Sequence, residues 1–258
     1  MKELIVEKKD HFLSVKFNRP ELHNSFYPEL IRDLTKIFSK EARAKDVRAV
    51  VLSGAGPSFS AGADLKWMKS MVQLTRQQNQ KDALKLYSMY ESIANCPVPV
   101  IAKVHGNVMG GGVGLAAVAD ITLAETDTKF CFSEVRLGIA PAVISTFVLR
   151  KMKASYARDL MLTARVFDAS TAFESGLVQF VGRELEVTTQ LEMYLSCFRK
   201  AGQEAVRETK KLLISLNGLT DTQAKSKTTK LIAQLRTSEE GQEGLKAFLE
   251  KRSPKWSF

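Results

Sequence analysis

Two periodicities alternate through the first half of the chain. FLSVKF (12–17) and RAVVLSG (48–54) are short, apolar and β-branched, as strands are. PELIRDLTKIFSK between them repeats Leu30, Leu34, Ile37 and Phe38 on one helix face. Strand, helix, strand in that order predicts a mainly parallel sheet. Thr75 and Gln78 have the spacing of a capping box. The helix they open carries Leu86, Tyr90 and Ile93 on one face, and Asn95 with Pro97 closes it. VPVIAKV (98–104) predicts a buried strand, and ITLA (121–124) and KFCFSEV (129–135) predict two more. From there helical spacing dominates, over 141–163, 169–175 and nearly all of 185–251. No linker rich in Gly, Pro or Ser interrupts the chain, and no internal repeat is visible. The expectation is a core over residues 1–198 with a helical lobe, 199–258, attached to it.

Composition narrows the class. With 258 residues, 45% of them apolar, the chain can bury a core without disulfides or metal. The longest apolar runs, Val98 to Val104 and Val113 to Ala119, fall well short of the ~20 residues that span a bilayer. MKELIVEKKDHF mixes acids with bases and fits neither a secretory signal nor a transit peptide, so the cytoplasm is expected. Cys96, Cys131 and Cys197 are far apart, and His11, His23 and His105 have no ligand-like spacing; neither a disulfide framework nor a metal site is expected. The net charge of +10 admits nucleic acid, anionic lipid or a phosphate-bearing small molecule as partner. Acids interspersed among the bases weaken the nucleic-acid reading.

Three segments could carry chemistry. In HGNVMGGGVGLAAVAD (105–120), Gly110, Gly111 and Gly112 precede a small-residue apolar helix. Free backbone N–H groups and the positive helix end would converge there on an anion or oxyanion. A plain strand-to-helix turn fits the same glycines. A dinucleotide fingerprint through Gly112, Gly114 and Ala117 fits poorly, because several residues separate it from the preceding strand. In SGAGPSFSAGADLKWMKSM (53–71), Ala61, Gly62 and Ala63 offer backbone N–H groups at the entrance of a helix bearing Leu65, Met68 and Val72; a simple Asp-capped turn is the alternative. In KFCFSEVRLGIAPAVIS (129–145), Glu134 stands among Phe130, Phe132, Val135, Leu137 and Ile139, surroundings that raise a carboxyl pKa and suit a proton shuttle. A surface glutamate paired with Arg136 is the other reading.

In this order the segments resemble the crotonase (enoyl-CoA hydratase/isomerase) superfamily. NRPELHNSF (18–26), SFSAGADLK (58–66), GNVMGGGVGLAAVADI (106–121), FSEVRLGIAP (132–141), LTARVFDASTAFESGLV (162–178) and FLEKRSPKW (248–256) match its successive landmarks across essentially the whole chain. The resemblance implies an α/β fold, a spiral of ββα units with a helical C-terminal trimerisation lobe, assembled as a homotrimer or as a hexamer of two trimers. It implies an acyl-CoA substrate, coenzyme A being part of that substrate, with no separate cofactor and no metal. Ala63 and Gly111 map to the oxyanion-hole N–H donors. His23, Ala61, Ala63, Lys66 and, across a subunit boundary, Lys251 map to coenzyme A contacts. Trp67, Arg136, Pro141 and Gly114 map to the acyl pocket.

One departure from the family pattern is informative. The first of its two catalytic glutamates is Gly114 here, leaving Glu134, and PAVIS (141–145) replaces the common P-G-x-G-G. This pattern, with DLKWM, is similar to the bacterial methylglutaconyl-CoA and carboxygeranoyl-CoA hydratase branch, which implies hydration of a branched, carboxylated 2-enoyl-CoA, as in leucine or acyclic terpenoid breakdown. Gly114 would then leave room for the branch, and Lys66, Lys69, Arg136 or Arg150 would meet the carboxylate. Δ3,Δ2-enoyl-CoA isomerases also keep only the second glutamate and stand as the alternative. An RNA- or partner-binding protein on the same scaffold is a third reading, opposed by the intact set of Ala63, Gly111 and Glu134.

Overall fold

A computed structural model describes residues 3–257. The chain opens with a hairpin, β1 (Leu4–Lys9) and β2 (Phe12–Phe17), followed by helix α1 (Pro28–Ser39). Three strand–strand–helix units follow. The first is β3 (Ala49–Gly54), β4 (Ser58–Ser60) and a helix pair, α2 (Leu65–Met71) and α3 (Arg76–Ala94). The second is β5 (Val100–Val104), β6 (Asn107–Met109) and α4 (Gly111–Val118). The third is β7 (Ile121–Glu125), β8 (Lys129–Cys131) and α5 (Ala142–Lys151). Then come α6 (Ala154–Thr163), β9 (Phe167–Asp168), α7 (Ala169–Glu174), β10 (Phe180–Gly182) and the C-terminal helices α8 (Glu184–Lys200), α9 (Gln203–Leu216), α10 (Asp221–Thr237) and α11 (Glu239–Leu249).

The first strand of each unit joins a large sheet ordered β1-β2-β3-β5-β7-β10, parallel except for the hairpin. The second joins a small sheet ordered β4-β6-β8-β9, in which β4, β6 and β8 run parallel. This is the mixed α/β spiral expected, and the small sheet positions the site. Three neighbouring parallel strands release their chains at one edge, so the loops beginning at Ala61, Gly110 and Phe132 emerge side by side.

Local sequence accounts for the main elements. Leu30, Ile31, Leu34, Ile37 and Phe38 are the buried stripe of α1, and Thr75 and Gln78 close both bonds of the capping box that starts α3. Helix α4 is apolar on every side and is buried from Gly112 to Val118, as such a helix must be. Two expectations change. Strand 129–135 stops at Cys131, whose carbonyl accepts from Gly110 N at 2.8 Å, and Glu134–Leu137 coil into a single 3₁₀ turn. Along α2 and its C-cap the apolar positions divide: Leu65 and Val72 are 81% and 79% exposed, Met68 is half-buried on the cavity wall, and Trp67 is buried against Phe26.

The C-terminal helices are tied to the sheets through polar groups. Arg48, buried just before β3, donates to the carbonyls of Phe198 (2.9 Å), Ala201 (3.0 Å) and Trp256 (3.1 Å). Lys210 of α9 reaches Asp120 Oδ2 at 2.6 Å and Val98 O at 3.0 Å. A second cluster of Phe12, Ala49, Ile101, Leu123, Val187 and Leu195 holds α8 against the large sheet. Among the described residues, no helix is long and apolar enough to cross a membrane.

Candidate active site

The loop after β4 is spoken for at almost every backbone group. Ala61 N donates to His23 O (2.8 Å) and Gly62 N to Ser60 Oγ (3.2 Å). Gly62 O accepts from Phe26 N (2.8 Å), and Asp64 N donates to Phe26 O (2.9 Å). Asp64 then caps α2 by accepting from Lys66 N (2.8 Å), and Arg19 Nη2 donates to the same carboxylate (3.0 Å). The desolvated carboxyl is held below the usual range by those donors despite its burial. The Asp-capped turn and the donor loop are thus one structure. Of its N–H groups, that of Ala63 finds no acceptor among the described residues and faces the cavity.

The second loop supplies the matching donor. Gly110 N is taken by Cys131 O, and Gly111 is the first residue of α4, where an N–H has no partner within its helix. The two loops touch. Gly62 has φ +83°, and a Cβ there would lie 2.7 Å from Met109 O and 3.1 Å from Gly111 N, so only glycine permits the approach.

Glu134 arrives from the third loop. Its Oε1 is 3.4 Å from where a Cβ of Gly110 would sit, which places the carboxylate beside the donor loop. Its Oε2 is buried and has no hydrogen-bond partner among the described residues. Burial pushes this carboxyl up from its ordinary value, only partly opposed by its own backbone N–H. Arg136 is exposed, lies off the cavity wall and does not act on the Glu134 carboxyl, so the surface-glutamate reading is set aside.

All three loops open into one cavity of about 440 Å³. Beyond Ala63, Gly111 and Glu134 its wall is mostly apolar, built from α2, α3 and the start of α5, with Trp67 and Pro141 where the sequence places them. Trp67 Nε1 donates to Asp82 Oδ2 at 2.9 Å. Phe26, Asp82 and Tyr90 carry no local signature; each matters through a partner 15 or more positions away in the chain.

Three pocket expectations require correction. Gly114 does not line the cavity and leaves no room: a Cβ there would be 2.5 Å from Ile144 Cγ2 and 3.0 Å from Tyr90 Cε1 and Cζ. The ring of Tyr90 packs against Gly114, and its hydroxyl donates to Gly111 O at 2.8 Å. Arg136 is likewise off the wall. So are Lys66, Lys69 and Arg150, the last lying over the Phe147 ring, and no Lys, Arg or His is found among the described lining residues. Of the coenzyme A candidates, Ala61 and Ala63 line the cavity. His23 and Lys66 are exposed on the flanks of the Ala61–Ala63 loop, His23 with Nδ1 3.0 Å from Ser58 Oγ. Lys251 is exposed just beyond α11 with φ +53°.

Residues 7–257 match the family described as enoyl-CoA hydratase/isomerase. The crystal structure of an enoyl-CoA hydratase from Shewanella pealeana is 34% identical, covers 99% of this chain and 96% of its own, and superposes with a TM-score of 0.94. Pseudomonas aeruginosa AtuE is 32% identical over 100% of both chains, with a TM-score of 0.95. The human mitochondrial Δ(3,5)-Δ(2,4)-dienoyl-CoA isomerase is 35% identical over 202 residues, 74% of this chain but 62% of the isomerase, so this chain spans under two thirds of that relative. The fold, the three converging loops and these likenesses agree: the chain belongs to the enoyl-CoA hydratase/isomerase family of crotonase-fold enzymes, which act on acyl-CoA substrates.

Proposed function

We propose that this protein adds water across the double bond of 2-enoyl-CoA thioesters, with Glu134 as its single proton carrier. The observation that carries the reading is the half-buried Glu134 carboxylate, with one oxygen sealed from solvent and unpartnered among the described residues, beside two backbone donors whose loops touch. The N–H groups of Ala63 and Gly111 would grip the thioester oxygen. Water attacks C3 and gives its proton to Glu134, while the π electrons move onto that oxygen as an enolate. The enolate then collapses as Glu134 returns the proton to C2. Each preorganised donor contributes roughly 3–4 kcal/mol to such a step. A carboxyl pKa raised by burial above its ordinary value suits a group that first accepts and then donates.

The wall supports an uncharged, apolar acyl group. A substrate carboxylate of the methylglutaconyl type would find no cation among the described lining residues and would face Asp82 instead. The coenzyme A moiety is proposed to leave past Ala61, His23 and Lys66, with Lys251 reaching it from a neighbouring copy. Leu213, Phe248 and Leu249, largely exposed on α9 and α11, support a trimer made through residues 199–258.

The absence of a second carboxylate favours one other reading, a Δ3,Δ2-enoyl-CoA isomerase, in which Glu134 moves a proton between C4 and C2 and no water enters. Product mass separates the two. Incubation with 2-hexenoyl-CoA should give a product heavier by one water; an unchanged mass there, with 3-hexenoyl-CoA converted to 2-hexenoyl-CoA, would replace hydration by isomerisation.

A further inference from the structure

The two N–H donors stand on different loops, and one residue touches both. The backbone of Phe26 pairs with the neighbours of Ala63 on either side, donating to Gly62 O at 2.8 Å and accepting from Asp64 N at 2.9 Å, a short parallel bridge that fixes the peptide between them. Its buried ring runs the other way. A Cβ on Gly111 would lie 2.4 Å from Phe26 Cζ, so the edge of the ring closes directly on the Cα of the second donor residue. From the opposite side the Tyr90 hydroxyl comes within 2.8 Å of the same point and donates to Gly111 O. Trp67, with its ring centroid 6.5 Å from that of Phe26, backs the ring.

We propose that Phe26 is the positioning residue that sets the separation of the two oxyanion donors, its backbone fixing Ala63 and its ring acting as the stop for Gly111. The proposal rests on the oxyanion reading above. Both N–H groups must reach one oxygen at hydrogen-bond distance, a condition on the gap between two loops that neither loop meets alone. Gly111 cannot carry a side chain because the stop is in contact with its Cα. A shorter side chain at position 26 lets the first turn of α4 settle toward it, and a misplacement of an ångström in such a site costs on the order of 10²-fold in rate. Phe26 handles no proton, so its loss should leave the pH profile unmoved.

The test compares Phe26→Leu and Phe26→Met with Phe38→Leu, a fully buried phenylalanine of α1 exchanged in the same core away from both loops. The readouts are kcat, KM and the absorption maximum of bound 2,4-hexadienoyl-CoA, whose conjugated thioester shifts to the red when its carbonyl is polarised. Both Phe26 variants should lose roughly 10- to 100-fold in kcat, with KM within a few-fold of wild type and most of the red shift gone. Phe38→Leu should keep both. If Phe26→Leu does not fold, Phe26→Met, whose flexible unbranched side chain fills the core without a rigid ring edge, carries the same expectation. A Phe26 variant that polarises the bound thioester as well as Phe38→Leu does overturns the spacer role. A wild-type protein that binds the dienoyl-CoA without a red shift overturns the oxyanion reading beneath it.

Discussion

Placing a single methyl group at Gly114 tests how closely Ile144 and Tyr90 pack against it. In Gly114→Ala the new Cβ would stand 2.5 Å from Ile144 Cγ2, where ordinary contact begins at 3.4 Å, and 3.0 Å from two atoms of the Tyr90 ring. Ile144 is 3% exposed and Tyr90 not at all, so neither can swing into solvent. Overpacking of this kind costs about 1–3 kcal/mol. Pushing the Tyr90 hydroxyl off Gly111 O adds about 1 kcal/mol, and exchanging glycine for alanine within a helix returns about 1 kcal/mol. A net loss of about 1–3 kcal/mol follows, seen as a fall in Tm of roughly 2–6 °C for a chain of this size. Urea or thermal unfolding measures it, and a double-mutant cycle with Ile144→Ala, which removes the opposing Cγ2, should show the pair coupled by about 1 kcal/mol or more. An unchanged Tm for Gly114→Ala, with no coupling to position 144, would refute the packing account. Gly114→Glu is expected to lose both stability and hydration instead of gaining a second proton carrier.

Glu134→Gln should lower kcat by ~10²- to 10⁴-fold while acyl-CoA binding persists, as single-turnover kinetics and calorimetric titration would show; turnover near wild type would remove Glu134 from the mechanism. Because burial raises the Glu134 pKa, wild-type kcat/KM should fall on acidification at a pH above the ordinary glutamate value of about 4.3, and that acid limb should vanish in the variant. The same shift favours the protonated carboxyl in the folded state, so the stability it contributes is present at low pH and lost as pH rises through the folded value. Glu134→Gln should therefore unfold no earlier than wild type at neutral pH, with a gain of at most about 1 kcal/mol for so partly buried a group. Asp82→Leu frees the indole of Trp67 and should shift the preference among acyl chain lengths by roughly tenfold in relative kcat/KM; an unchanged ranking would show that Trp67 needs no anchor. Lys210→Met leaves Val98 O without this donor and Asp120 still held by Val100 N, and should cost about 2 kcal/mol in urea unfolding, below the ~3–5 kcal/mol of a fully buried broken pair because Asp120 is one-third exposed; a smaller loss would place the docking of α9 elsewhere.

The sequence alone reveals what depends on short stretches of it. The stripe on α1, the cap at Thr75, the glycine-rich entrance to α4 and the carboxyl among aromatics at Glu134 all lie within a few residues of their own causes. What escaped is decided at long range. The short helix after Asp64 could bury either Leu65 and Val72 or Trp67, and the choice is made by Phe26 and by Asp82, 15 positions past Trp67. Gly114 illustrates the same limit: the missing carboxylate is visible in the sequence, but whether the vacated volume is open or filled depends on Tyr90 and Ile144, each on another helix. Strand 129–135 reads as longer than it is because Phe132 is as apolar as a strand residue; the chain turns there once the partner strands have run out.

Arg48 bears on the order in which the chain folds. Its acceptors at Phe198, Ala201 and Trp256 lie 150, 153 and 208 positions downstream, so they are synthesised long after the strand they brace. Until they arrive, the guanidinium at the threshold of a central strand lacks these three carbonyls, and burying it costs more. The nascent large sheet can gather its apolar strands early, but its end at the start of β3 closes only when α8 and the segment at Trp256 have docked. Contacts of such range make for slow, concerted closure. A nick or truncation near residue 200 should therefore be felt at β3, in faster amide exchange of strands that the cut never touches.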